Sequence, residues 1–353
     1  MLEIAGDFME GGGQIVRTAL ALSALTGKPV SITKIRENRP NPGLQAQHFI
    51  AAKALAAVCS AETTGLAVGS RELKFVPHDR VGGGFTFDVG TAGSIPLVLQ
   101  ALMPAAAYAP SSTQFELTGG TDVRWSPTID YVRLVQFPLL TKMGYEATID
   151  LHRRGHYPKG GGRVAVNIRP SHTLKAVRWL ERGDLTEIEG ISHCVKLPKH
   201  VAERQANAAT QELNNAGLDH IKLATETYAP NQDHHLAPGS GLTLAAKFAT
   251  GAVLGADSLG ERGKPAEKVG KECAEILCKE ISSGAPVDKH MGDIMIPYLA
   301  VADGMSEIRV SEITPHTITN IKVAEILTGV QIKLEGELRR PGRITVSGMG
   351  LKT

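Results

Sequence analysis

A helix, a glycine and a strand recur three times along this chain, and that recurrence limits the fold more than any other feature. Thr18 to Leu25 has helical apolar spacing, Gly27 follows, and Val30-Ser31-Ile32-Thr33 alternates as a strand. The pattern returns as Tyr131 to Met143, Gly144 and Ala147 to Asp150. It returns again as Ile321 to Leu327, Gly329 and Val330 to Leu334. Each time a 3.6-residue period gives way to a period of two just past a glycine suited to a helix C-cap. Repetition of an α/β unit predicts stacked copies in which helices cover one face of each sheet.

From about Leu180 to Ser282 the character changes. Glycine-rich loops thin out, and charged helical segments, Val201 to Leu213 and Ala266 to Ile281, flank strand-like runs at Ile221 to Thr227 and Gly241 to Phe248. This stretch predicts a compact inserted α/β domain with little that looks catalytic. The expected boundaries are 1–180 and 283–353 for the repeat domain and 181–282 for the insert. The chain's 353 residues leave room for both, and 42% hydrophobic residues are enough to build their cores.

The net charge of +2 excludes a polycation that coats nucleic acid non-specifically, so an anionic ligand must be held by a local basic cluster. Cys59, Cys194, Cys273 and Cys278 form no CxxC pair, which predicts reduced thiols rather than a disulfide framework. The first residues show no secretion signal and no run is long and apolar enough to span a bilayer, so the expectation is a soluble, cytoplasmic protein.

Several loops carry groups suited to chemistry. Glu10-Gly11-Gly12-Gly13-Gln14 opens an apolar helix with Arg17 in its first turn, where close backbone approach and helix N–H groups suit a phosphate and Glu10 suits a divalent cation. Arg36 and Arg39 enter a proline-constrained loop, with Gln47 and His48 on the next helix. Arginine forks converging there with Arg17 fit a phosphate dianion better than they fit a solvated loop. Gly90-Thr91-Ala92-Gly93-Ser94 is a donor-rich helix start leading to Gln100. Gly119 to Pro127 puts Trp125 beside a carboxylate, either as the wall of a base pocket or as a core anchor. Arg154-Gly155-His156-Tyr157-Pro158-Lys159-Gly160-Gly161-Gly162-Arg163 carries too many polar groups for an ordinary turn. His290-Met291-Gly292-Asp293 and Thr314-Pro315-His316-Thr317 follow near the end. Neither a P-loop nor a Rossmann fingerprint is present. These residues specify an anion-binding, metal-assisted α/β enzyme, and they leave His316, His290, His48 and His156 all eligible as nucleophile.

Taken together, EGGGQIVRT at 10–18, IRENRPNPGLQAQH at 35–48, GTAGS at 90–94, RGHYPKGGG at 154–162, HMGDIMIPYLA and TPHTITN resemble the RNA 3'-terminal phosphate cyclases, in the family's order over nearly the whole chain. The resemblance implies an α/β (α+β) fold. Its large domain would be built of repeated βαβαββ-type units in the style of the enolpyruvyl transferases, with a smaller α/β insert. It implies ATP and Mg2+ or Mn2+ as cofactors and RNA 3'-phosphate ends as partner, and it admits a homodimer. In the implied chemistry a histidine takes AMP from ATP and passes it to the RNA 3'-phosphate. The vicinal 2'-hydroxyl then displaces AMP, and proximity favours that closure.

Position by position, the resemblance puts the nucleophile on His316 and the metal carboxylate on Glu10. It puts nucleotide contacts on Glu10, Gln14, Gln100, Pro127, His290, Met291, Gly292, Asp293 and Ile294. The RNA phosphate pocket falls on Arg17, Arg36, Arg39, Gln47 and His48. Bacterial members have tyrosine and glutamine where His290 and Ile294 stand. Two other readings compete: a non-catalytic relative that binds ribosomal RNA precursors, which would lack the histidine, and an enolpyruvyl-type transferase, whose loop motifs are not visible.

Overall fold

The computed structural model describes residues 1–9 and 11–353. Its first unit runs β1 (Leu2–Ala5), α1 (Gly13–Thr26), β2 (Val30–Thr33), α2 (Ala46–Val58), β3 (Glu62–Thr64) and β4 (Leu73–Val76), with sheet order β1-β2-β4-β3. The first two strands pair in parallel across a helical crossover and the last two pair antiparallel. The second unit repeats this layout. It runs β5 (Gly83–Asp88), α3 (Ile95–Ala106), β6 (Thr113–Gly119), α4 (Ile129–Tyr131), a π turn at Val132–Gln136, α5 (Phe137–Lys142), β7 (Ala147–Arg153) and β8 (Gly162–Ile168), in order β5-β6-β8-β7.

The third unit is split. It starts with a two-residue strand, β9 (Arg178–Trp179), after which the insert intervenes: β10 (Leu185–Val195), α6 (His200–Asn215), β11 (Ile221–Glu226), β12 (Gly239–Phe248), β13 (Val253–Leu259) and α7 (Ala266–Ser282). The unit then resumes with α8 (Lys289–Ile294), α9 (Ile296–Val301), β14 (Asp303–Val310), α10 (Pro315–Thr328), β15 (Ile332–Gly336) and β16 (Gly342–Met349). Arg178 and Trp179 pair in parallel with Glu307 and Ile308 of β14, completing the order β15-β16-β14-β9. The molecule therefore holds three βαβαββ units, and the insert lies inside the third.

This topology corrects the sequence periodicity in one respect. The three helix–glycine–strand stretches are real elements, and Gly27, Gly144 and Gly329 all adopt positive φ at or just past the helix ends. They are not equivalent, however. The first lies between α1 and β2, in the first half of its unit, whereas the other two precede β7 and β15, in the second half of theirs. In the first unit the equivalent corner, after α2, turns through Ser60 at φ 48° with no glycine.

One apolar core runs through all three units, and α1 packs against α2, α3 and α10 within it. Eleven of the 14 residues of α1 are buried, including the polar Gln14, Thr18 and Ser23, because helices cover it on several sides. The insert's sheet has order β11-β10-β12-β13, and α6 and α7 pack on it around a separate core that contains Leu242, Leu244, Cys273 and Leu277. Ala245 and Val253 join the insert to the main core. At that seam a methyl on Gly255 would stand 2.5 Å from Tyr131, so only glycine admits the close approach of β13. All four cysteines are free thiols. Among the described residues, no helix is long and apolar enough to cross a membrane.

Candidate functional site

Where the first unit, the second unit, the insert and the third unit meet, a cavity of about 390 Å³ opens. Eight of the expected site residues line it: Gln14, Arg17, Gln100, Pro127, His290, Asp293, Ile294 and His316. They come from α1, α3, the loop after β6, α8 and α10, so the fold gathers them from almost the full length of the chain.

His316 sits in the first turn of α10. Thr314 is the N-cap: its hydroxyl accepts from Thr317 N at 3.0 Å, and Thr317 Oγ1 accepts from Thr314 N in return. Both hydroxyls also donate to Asp293 Oδ1, at 2.7 and 2.6 Å. Asn320 Nδ2 donates to the Asp293 carbonyl, and Thr18 Oγ1 bonds Asn320 Oδ1 at 2.7 Å. Gln14 Nε2 reaches the His316 carbonyl at 3.2 Å. The helix turn bearing the histidine is thus bolted to α8 through the Asp293 carboxylate and to α1 through Gln14 and Thr18. A second imidazole, His290, borders the same cavity and packs edge-on to Tyr131. Burial, ahead of the neighbouring charges, pushes its pKa down and favours the neutral ring.

The basic residues form a chain beside it. A methyl on Gly12 would lie 3.4 Å from Arg39 Nη2 and 3.9 Å from His316 Cε1, so guanidinium and imidazole flank the same glycine turn. Gly13 is required in the same turn, because the His48 ring occupies the space where its side chain would be. Burial and then the charges of Arg17 and Arg36 push His48 down to about 3, so it is neutral at physiological pH. Arg17 is lowered to about 10 by burial, and its Nε is buried with no hydrogen-bond partner. Arg36 is lowered by burial and by Arg39. Cations that raise one another's energy in a half-dry site are relieved by an anion, which is the chemistry of a phosphate pocket. Gln47 Oε1 accepts from Ser94 N at 3.3 Å, and Ser94 in turn bonds Ser126 on the cavity wall.

The opposite wall is apolar and aromatic. Pro127 and Trp125 line it, with Trp125 92% exposed and held at φ 60°. This decides between the two readings of Trp125: it is no core anchor. An exposed indole on a left-handed backbone is a feature of sites rather than of packing.

Four residues fall differently. Met291 is fully buried in the core, and a methyl on Gly292 would meet Val310 Cγ1 at 2.8 Å. Both face inward, because α8 must bury one side on β14, so only their backbone is available to a ligand. Gln47 and His48 sit behind the cavity rather than on its lining. The expected metal ligand Glu10 lies outside the described residues.

The sequence reading missed Asp257. It stands on β13 of the insert and lines the cavity, and its Oδ2 accepts from Thr128 N at 3.2 Å. Burial raises its pKa to about 6. A carboxylate in the otherwise apolar run Val253-Leu254-Gly255-Ala256 was the available signal. The expectation that the insert holds little of chemical interest is corrected on this point. Asp257 and Asp293 are oxygen donors of the class that Mg2+ or Mn2+ takes, so the cavity's donor set fits such an ion.

Comparison with known proteins places the chain in a family. The family model described as RNA 3'-terminal phosphate cyclase matches residues 8–334. The chain is 49% identical over 350 residues to the RNA 3'-terminal phosphate cyclase of Ignicoccus hospitalis, covering 99% of each chain. It is 48% identical to that of Hyperthermus butylicus, covering 100% of this chain and 99% of the relative. A superposition on EPSP synthase from Acinetobacter baumannii covers 98% of this chain and 65% of the other at 12% identity and a TM-score of 0.30, too low to bear on the fold. The family model and the relatives both span nearly the whole chain, and the chain belongs to the RNA 3'-terminal phosphate cyclase family.

Proposed function

We propose that this chain converts an RNA 3'-terminal phosphate to a 2',3'-cyclic phosphodiester at the expense of ATP, with His316 as nucleophile. The observation that carries the reading is the continuity of the site. One cavity joins His316 to an aromatic wall at Trp125 and Pro127, and at His316 it meets the basic chain of Arg17, Arg36 and Arg39.

A ring nitrogen of His316 attacks the α-phosphorus of ATP, the bond to the β-phosphate oxygen breaks, and pyrophosphate leaves. The terminal phosphate of RNA, held by Arg17, Arg36 and Arg39, takes AMP from the histidine. The 2'-hydroxyl then attacks that phosphorus, loses its proton, and displaces AMP. Adenylation matters because a phosphate monoester has no good leaving group, whereas AMP is one. Once the phosphate is activated, the adjacent hydroxyl closes the ring with little entropic cost. Trp125 and Pro127 hold the adenine by stacking. A divalent cation bound at Glu10 would neutralise phosphate charge.

The test is labelling with ATP carrying a labelled α-phosphate. The wild type becomes labelled in the presence of Mg2+ or Mn2+, and His316→Ala does not. Labelling of His316→Ala at the wild-type level overturns the nucleophile. Absence of labelling in the wild type with either metal favours a non-catalytic RNA-binding relative. Arg39→Ala is expected to cut cyclisation while sparing self-labelling, and an equal loss of both steps would misplace the phosphate pocket.

A further inference from the structure

The loop Arg154 to Gly162 is too polar for a turn, and the function proposed above does not use it. Two of its side chains, Arg154 and His156, are buried in the seam between the second unit and the insert, while Tyr157 and Lys159 face solvent. Arg154 is fully buried there. It bonds Asp122 through Nη1, Asp130 through Nη2 at 2.6 Å, and Glu226 through Nε and Nη2 at 2.8 and 2.7 Å. One cation faces three carboxylates, an excess of two negative charges, and Arg133 at the rim offsets one of them by pairing with Asp130.

Three imidazoles close the same pocket: His156 from the loop, His193 from β10 and His235 from the loop before β12. All are at least nine-tenths buried. His156 hydrogen-bonds the Asp122 backbone through one ring nitrogen, and its Nε2 has no partner. His193 has no partner on either nitrogen, and its Nε2 lies 4.0 Å from Asp122 Oδ2. His235 holds Asp233 Oδ1 with Nδ1 at 2.8 Å, and its Nε2 is likewise unpartnered. Four buried ring nitrogens with nothing to bond are costly, at about 1–3 kcal/mol each. Natural interiors seldom leave such groups unmet unless a water or an ion meets them.

We propose that Asp122, His156 and His193 bind a divalent transition-metal ion of the Zn2+ class, which staples the insert to the second unit. One ligand atom from each lies within 4.8 Å of the other two. Ligands arranged tetrahedrally around zinc at about 2.0–2.1 Å stand roughly 3.3 Å apart, so small ring rotations close the set. Asp122 accepts from Arg154 on both oxygens and from Thr121 Oγ1 on Oδ2, and of about four acceptor positions on a carboxylate one remains, on Oδ1. Burial keeps His156 and His193 neutral, the form that ligates. The hydrogen bond on the far nitrogen of His156 orients its ring, as outer partners of metal-bound histidines do. Imidazole nitrogen selects zinc-like ions over Mg2+, which separates this site from the ATP-linked cation. His235 acts electrostatically on both rings, and its unpartnered Nε2 is available to support a water bound to the ion.

The full-length chain, stripped with chelator and titrated with Co2+ in excess Mg2+, is expected to bind one equivalent with the absorption of a tetrahedral site, and Zn2+ should displace it. His193→Leu loses no hydrogen bond and should remain folded by circular dichroism, but its affinity for Co2+ should fall about 100-fold or more. His316→Ala should bind Co2+ as the wild type does. Zn2+ should raise the melting temperature of the wild type and leave that of His193→Leu unchanged. Anomalous diffraction at the zinc edge from wild-type crystals supplies a readout independent of any variant, with a peak expected between the three residues. No binding by the wild type, no peak after soaking, or equal binding by His193→Leu would overturn the proposal and leave the pocket to water.

Discussion

At the scale of single residues, the two basic networks differ in what satisfies them. Arg154 is matched within the protein, so its role is stability. Arg154→Ala would strand the buried Asp122 carboxylate and leave the buried Asp130 with Arg133 alone, and the expected cost is about 3–5 kcal/mol in urea unfolding. Arg17 has no such match: its Nε is buried without a hydrogen-bond partner, and its charge opposes protonation of His48. His48 allows a pH test with a definite sign. Its folded value of about 3 lies below the ordinary value of 6.5, so the unfolded chain takes up a proton that the folded chain refuses. Stability is therefore unaffected above pH 6.5 and falls as pH drops from 6.5 towards 3. His48→Gln removes that slope and keeps the bond that His48 Nδ1 accepts from Gln45 N, since glutamine serves a capping box. The wild type should lose on the order of 2 kcal/mol more than the variant between pH 6.5 and 4.5, measured by urea unfolding at each pH. Parallel curves would show that His48 is protonated in the folded chain.

At the scale of elements, the first turn of α10 governs the nucleophile without touching substrate. Thr314 caps the helix and, with Thr317, anchors Asp293. Thr314→Ala should cost about 1–2 kcal/mol and slow self-labelling roughly tenfold, while KM for ATP stays near the wild-type value. Thr314→Ser should restore the rate, which a loss of general stability would not explain. This element was legible in the sequence, because Thr-Pro-His-Thr is a strong helix start. So were α1, α2, α3 and most of the insert's elements, through periodicity and glycine stops. Strand β9 was not. Two residues carry no alternation, and their partners Glu307 and Ile308 lie beyond the whole insert, so only tertiary pairing defines the strand. The three helix–glycine–strand stretches were read as equivalent copies for the same reason. Glycine corners report local backbone geometry, and a βαβαββ unit has a helix-to-strand corner in each half, so a glycine does not say which half it marks. The polar seam around Arg154 was legible only as an oddity of composition, since its partners Asp122, Asp130, His193 and Glu226 come from four other segments.

At the scale of the whole molecule, the insert is part of the site, because Asp257 projects from it into the cavity that the repeat units build. Its pKa of about 6 against an ordinary 3.8 means that the folded state holds the proton more tightly than the unfolded one. The associated stability is fully present below pH 3.8 and is lost as pH rises through 6, so at pH 8 the ionised carboxylate is a net burden on folding. Asp257→Asn keeps an oxygen for the Thr128 N–H and removes the charge. The variant should be more stable than the wild type at pH 8 by on the order of 1 kcal/mol, discounted for the partial exposure of the group, and indistinguishable from it at pH 4. A chain that keeps an unfavourable carboxylate facing its cavity has a use for it, so the same variant should raise KM for ATP several-fold. If Asp257→Asn gains stability at pH 8 and leaves KM unchanged, the insert only walls the cavity. If KM rises and removal of the metal at Asp122, His156 and His193 raises it as well, the insert's seating on the second unit and its contribution to the nucleotide pocket are one mechanical property.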